Sequence, residues 1–486
     1  MRKRFEVQYE LGATPIEKVR IPTKSRDELP AVLRALQHIY TTPELNEKVF
    51  EILERKVLSG IDPKVGRRGM SLWEILVFGV TRLARDADYD HLHTIANFNS
   101  LVRKLVGISD FGENLKKYSL QALKDNVAFL DEETLDEINK VVVKAGHSLK
   151  KSEPLKVKVD TYVLETNVHF PTDVNLLWDA GRKSIDLIAT LIHDTEMSTG
   201  WRKHRDWRRR LKSAYHTAAK RTVGGGRYTS KGFDAACDYL TVASDLSDKL
   251  KGSREILREV AASTQRKMNT YSELLYFEGH LDRHIELVRR RLIYGEQIGH
   301  EEKVFSLFEP HTEWIKKGKA GGKVELGLRL AIATDQNGFI LHHRVMEGEQ
   351  DVDIAVPFTR ELVNRYEAIG SISFDKSFWS PDNYKELKKL VSEVILPKKG
   401  KLNAQEYERE HHKHFKALRS QHAAVESDVN CLEHHGLNRC PDKGLANFKR
   451  YVSLGVLACS LHRLGTMLLE QDRQKLTKNR FIRKAA

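Results

Sequence analysis

KVKVDTYVLET, residues 156–166, alternates polar and apolar side chains and is rich in β-branched and aromatic residues, so it reads as a β-strand carrying Asp160. SISFDKSFW, residues 371–379, puts Asp375 at the end of a second, shorter strand. HAAVESDVNCLEHHGL, residues 422–437, reads as one amphipathic helix from Gln421 to His434, with Val425, Val429 and Leu432 as the apolar stripe and Glu426 beside it. A single Asp at a strand edge is usually solvated, and a single helical Glu usually lies on a wet face. Two strand-borne Asp and one helix-borne Glu, however, can converge on two divalent ions. In-line phosphoryl transfer uses that arrangement to hold the attacking and leaving oxygens. Hard carboxylate oxygens suit Mg2+ or Mn2+.

Outward from the first strand, KKSEPLK at 150–156 reads as a linker, with Pro154 ending helical structure. Residues 1–150 before it are helical. Leu29, Val32, Leu33, Leu36 and Ile39 recur at helical spacing, and Ser71 is placed to cap SLWEILVFGVTRLARDA. We expect a helical N-terminal domain for DNA binding or dimerisation here. Strand character returns at ELGLRLAIATDQNGFILHHRVMEG (325–348), where Asn337–Gly338 signals a hairpin. The intervening stretch, about 176–300, is helical and reads as an insertion after the first strand. Helix, strand, helix, strand and helix then follow. The whole is an α+β order with a mixed sheet and flanking helices, running over 151–470 and followed by a basic tail at 471–486. It is the order of RNase H-like nucleases and transposases.

The chain has 486 residues, enough for two or three domains, and a net charge of +14 that favours a polyanionic partner. No stretch has the roughly 20 uninterrupted apolar residues of a membrane span, and the first residues show no signal-peptide pattern, so a cytoplasmic protein is expected. Four cysteines form no CxxC pair. CLEHHGLNRC (431–440) offers Cys431, His434, His435 and Cys440, but its spacing matches no standard zinc finger, and zinc is not expected there.

Within the insertion, RKHRDWRRRLK (202–212) holds Arg202, Lys203, Arg205, Arg208, Arg209, Arg210 and Lys212 against one acid. Lys220, Arg221, Arg227 and the glycines 224–226 follow, and Trp201, Trp207 and Tyr215 interleave aromatic rings able to stack on bases. A charge run is usually a solvated helix face; at this density DNA contact is the better reading. Lys376, next to Asp375, and His422, one turn before Glu426, are further candidates for phosphate contact. Asp428 and Glu433 compete with Glu426 on its helix, while Asp173 and Asp179 are fallback carboxylates.

Four long segments carry a family resemblance: GRRGMSLWEILVFGVTRLARDADYDHLHTIAN, KVDTYVLETNVHFPTDVNLLWDAGRK, KVFSLFEPHTEWIKKGKAGGKVELGLRLAIATD and HAAVESDVNCLEHHGLNRCPDKG. Through them the chain resembles the ISNCY group of bacterial insertion-sequence transposases, of the DDE superfamily. The resemblance implies an RNase H-like catalytic domain with Asp160, Asp375 and Glu426 as catalytic, metal-binding residues. It further implies double-stranded DNA partners, namely terminal inverted repeats and target DNA, and a homo-oligomer on DNA. Many related enzymes surround the third acid with Tyr, Arg and Lys. Here those positions hold Arg419, His422 and Glu433, so the roles of that motif do not carry over. The alternatives are a metal-dependent nuclease of the same fold, without strand transfer, and a DNA-binding protein with a decayed site.

Overall fold

Seven strands form one mixed sheet: β1 (Leu155–Thr166), β2 (Glu313–Lys316), β3 (Val324–Thr334), β4 (Ile340–Met346), β5 (Ile369–Phe374), β6 (Glu393–Ile395) and β7 (Arg439–Cys440). The computed structural model describes residues 3–5, 13–58, 69–108, 116–150, 153–195, 199–222, 229–316 and 324–485. β1 is central. It runs antiparallel to β3, with Asp160 opposite Ile332, and parallel to β5, with Val159 opposite Phe374. β4 is antiparallel to β3, β6 is parallel to β5, and the short β7 pairs with the far end of β1. β2 and β7 are too short to leave an alternating pattern, and neither is expected from the sequence.

The β3–β4 hairpin closes as expected around Gly338, whose φ of 78° suits a residue without Cβ. Asp335 organises the turn, because its Oδ1 accepts from the Asn337 and Phe339 amides at 2.8 and 2.9 Å. His147, near the end of the helix Glu132–Ser148, meets the same carboxylate at 2.7 Å.

The chain divides into two compact units, Met1–Asn167 with Ile315–Ala486, and Val168–Trp314. In the first, the helices Leu29–Thr41, Leu72–Ala84 and Glu132–Ser148 share one apolar core with the sheet. The helix Leu445–Ala485 runs through that core, with Val452, Leu454, Val456, Leu457, Ala458 and Leu464 fully buried. Part of it, Leu445–Thr477, is long and apolar enough to cross a membrane. Its most apolar window is 78% buried inside the protein, as in the central helix of a soluble fold. The basic stretch 471–485 continues this helix.

The second unit contains the helical stretch expected at about 176–300. Helices Asp173–Leu191, His204–Arg221, Ser230–Gly252, Arg254–Ala261 and Gln265–Leu292 enclose a separate core that includes Leu177, Trp201, Leu211, Tyr239 and Leu281.

One expected element divides in two. Instead of a single helix from Gln421, the chain forms Lys413–His422, a turn at Ala423–Ala424, and Val425–His434. Each piece has its own anchor on the sheet. His422 Nδ1 lies 3.0 Å from Ser373 Oγ, and Asp428 bonds to Lys158 and Thr334, both at 2.7 Å. Two anchors on different strands set two axes.

Helices Leu29–Thr41 and Leu445–Ala485 meet backbone to backbone, since a Cβ on Gly465 would lie 1.7 Å from the Ala31 carbonyl oxygen. Gly465→Ala is therefore expected to force the helices apart and to lower stability by about 1–3 kcal/mol, read as a lower denaturation midpoint.

Candidate active site

Paired residues on neighbouring parallel strands point to the same face, and successive residues alternate. Lys158 pairs with Ser373 and Val159 with Phe374. Asp375 follows β5 in still-extended conformation, with φ −76° and ψ 167°. Asp160 and Asp375 thus emerge side by side on the face of Lys158 and Ser373. Asp160 is half-buried and Asp375 exposed.

The Asp160 carboxyl is pushed up to about 6 from the ordinary 3.8. Burial is the main cause, opposed by the Thr161 amide that donates to Oδ1 at 2.8 Å. The negative charges of Asp375, Asp351 and Glu426 push it further in the same direction. The other two acids singled out in the sequence therefore lie within electrostatic reach of Asp160. Glu426 is exposed in the first turn of Val425–His434.

Asp351 is the carboxylate that sequence reasoning missed. It opens the helix Asp351–Arg365, and its Oδ1 accepts from the Thr161 hydroxyl at 2.9 Å. In EGEQDVD an acid at a helix start reads as a cap. The capping is done by Asp353, which accepts from the Gln350 amide at 2.9 Å and leaves Asp351 to Thr161. Two acids in one first turn were the available signal.

Of the competing acids on the Glu426 helix, Asp428 is otherwise engaged. Asp428 is 4% exposed and neutralised by Lys158. Glu433 is exposed, and its charge, together with burial, raises the Tyr162 phenol well above its usual range. Asp173 and Asp179 belong to the second unit, bonded at 2.7 Å to Arg291 and at 2.9 Å to Arg182.

His422 is held on the site's face through Ser373. Burial lowers its imidazole from the ordinary range, while Asp375 opposes that shift. Lys376 is exposed in the 3-10 turn that directly follows Asp375. Beside them lies a cleft of about 350 Å³ whose lining includes Lys156, Lys158, Ser371, Ser373 and Gln421.

The basic run 202–212 lies in the second unit. Arg202, Lys203, Arg205 and Lys212 are exposed. Arg208 pairs with Asp186, Arg209 with Asp206 at 2.6 Å and Arg210 with Asp245 at 3.6 Å, so part of the charge is compensated within the unit. The aromatic rings do not serve as exposed platforms. Trp201 is fully buried, Trp207 packs against the core under Arg210, and Tyr215 stacks on Trp178 at 5.4 Å. Their apolar area is worth more inside a small helical core than on its surface. Arg227 and the glycines 224–226 lie outside the described residues.

The donor set is of the chemical type that takes Mg2+ or Mn2+, although among the described residues its ligand atoms do not all lie within 4.8 Å of one another. It consists of carboxylates whose mutual repulsion a divalent charge would relieve, and two of its members are open to solvent. Compared with known protein-family models, with curated proteins and with solved structures, the chain matches none of them.

Two predictions follow from these charges. An acid whose folded value is raised loses stability as pH climbs from its unfolded to its folded value, here from about 4 to about 6. Asp160→Asn removes that penalty. In metal-free buffer at pH 7.5 it is expected to raise stability by up to about 3 kcal/mol, with the gain vanishing near pH 4; thermal melts across that range check it. Asp428→Ala leaves Lys158 buried without its counter-charge and is expected to cost about 3–5 kcal/mol in denaturant unfolding.

Proposed function

We propose that this protein is a DDE-type DNA transposase with an RNase H-like catalytic core, in which Asp160, Asp375 and Glu426 hold two divalent ions. The observation that carries the reading is the convergence on Asp160 of Asp375, Glu426 and Asp351, from four separate elements of the fold. The strand order β4–β3–β1–β5–β6 supports it, with the first acid on the central strand and the second just past its parallel neighbour. So do the net charge of +14 and the resemblance to ISNCY-group transposases.

When bound, the ions supply the charge that stabilises the attacking and leaving oxygens of an in-line displacement. The chain's own residues do the rest. Asp160 and Asp375 would supply two of the carboxylate ligands, from the neighbouring strand ends of β1 and β5. Asp351 fastens its helix to β1 through Thr161 and adds negative charge. Lys376 and His422 flank Asp375, where each can contact a phosphate oxygen. In the metal-free site Asp160 takes up a proton below about pH 6, so protons compete with the ions for this carboxylate.

At an element end, water forms a bond to phosphorus as the bond to the 3′ oxygen breaks, freeing a 3′-OH. That hydroxyl then attacks a phosphodiester of target DNA, displacing a second 3′ oxygen. The substrates are terminal inverted repeats and target duplex, and joining of paired ends calls for at least a dimer on DNA, in a bacterial cytoplasm.

The test uses the full chain with duplex oligonucleotides from the DNA flanking its gene and Mg2+ or Mn2+. Cleavage and joined products are expected. Asp160→Asn, Asp375→Asn and Glu426→Gln should each lower both by at least about 100-fold. Cleavage without joining would identify a nuclease of the same fold. DNA binding without metal-dependent cleavage would identify a decayed site.

A further inference from the structure

At the C-terminal end of the helix that carries Glu426, two metal-ligating side chains come together with two from the helix Leu445–Ala485 and with Glu28. Cys431 and His435 are four residues apart at the end of Val425–His434, and Cys459 and His462 are three apart on one face of Leu445–Ala485. The ligand atoms of Cys431, His435 and Cys459 all lie within 4.8 Å of one another, and so do those of His435, His462 and Glu28. We propose that Cys431, His435, Cys459 and His462 form a structural zinc site joining these two helices.

Three observations support the assignment. Cys431 and Cys459 are free thiols whose sulfurs lie 2.8 Å apart, an approach that two unlinked sulfurs do not favour. His435 is completely buried and sits 3.3 Å from the Leu83 carbonyl through Nδ1, so Nδ1–H donates there and Nε2 keeps its lone pair. That Nε2 makes no geometrically formed hydrogen bond, while the Glu28 carboxylate lies 3.7 Å from it and the Cys431 thiol interacts with the ring. A ring oriented by a backbone carbonyl, with no hydrogen bond formed at its other nitrogen, has the form of a metal-ligating histidine with its outer support.

Two thiolates and two imidazoles are a closed tetrahedral zinc set, with Zn–S about 2.3 Å, which would spread the two sulfurs to about 3.8 Å, a shift of about 1 Å. Binding releases the thiol protons, and no electron transfer is involved. The set is not the one offered by CLEHHGLNRC. His434 is exposed, and Cys440 sits in β7 with its sulfur turned to the Asp442 carbonyl at 3.7 Å. The partners of Cys431 and His435 come from a helix that begins only at Leu445. Such a site would pin the C-terminal end of the Glu426 helix to the central helix and, through Leu83, to Leu72–Ala84. It does not depend on the transposase reading, because its readout is metal content.

The experiment measures zinc by elemental mass spectrometry on the full chain, purified under reducing conditions after a chelator wash. One zinc per chain is expected, retained in His434→Ala and Glu28→Gln and lost in Cys431→Ser, Cys459→Ser and His462→Gln. As a control needing no variant, the wild-type chain refilled with Co2+ should show thiolate-to-cobalt charge transfer and tetrahedral visible bands. Absence of those bands, zinc that survives the cysteine substitutions, or a Cys431–Cys459 disulfide in the metal-free chain would overturn the proposal. Loss of zinc in Glu28→Gln but not in His462→Gln would overturn the fourth ligand.

Discussion

Lys158 and Asp428 meet at 2.7 Å in the interior of the first unit, with Thr334 sharing the same carboxylate oxygen. A buried pair of this kind adds little stability over apolar packing, but it is unforgiving of misplacement. It therefore acts as a register pin. Lys158 stands two residues before Asp160, and Asp428 two residues after Glu426. Fixing one pair fixes how the third acid approaches the sheet. β1, β3 and the Glu426 helix are joined by one charge and one hydroxyl.

Around that pin the fold concentrates negative charge. Asp160 is half-buried, and its raised affinity for a proton comes mainly from that burial, with the charges of Asp375, Asp351 and Glu426 adding to it. A structure selected for stability alone would neutralise or remove one of them, as it has done with Asp428. In the proposed function a divalent cation would complete the cluster. The same helix is held at its other end by Cys431 and His435, against Cys459 and His462. The two proposed metal chemistries are distinct: oxygen donors at the open end, sulfur and nitrogen donors at the buried one.

Much of the site was legible because its elements are local. Alternation in 156–166 and a short apolar run before Asp375 are strand signals that do not need the rest of the chain, and the hairpin at Asn337–Gly338 is set by turn chemistry. The break at Ala423–Ala424 was not legible, because alanines favour helix and only the anchors at Ser373 and Lys158 interrupt it. Asp351 was hidden by its resemblance to a helix cap. Trp201, Trp207 and Tyr215 were read as outward rings because amphipathic spacing does not say which face a helical insertion buries.

By itself, the sequence determined the α+β class, the strand and helix settings of Asp160, Asp375 and Glu426, and the basic character of the chain. Periodicity, turn residues and charge are properties of neighbouring residues, and they survive without a fold. Only the tertiary structure decided which carboxylates share one field, that Asp428 is spent on Lys158, and that Cys431 faces Cys459 rather than Cys440. Those facts depend on distances between residues far apart in the chain, set by the β1–β5 register and by the path of one central helix.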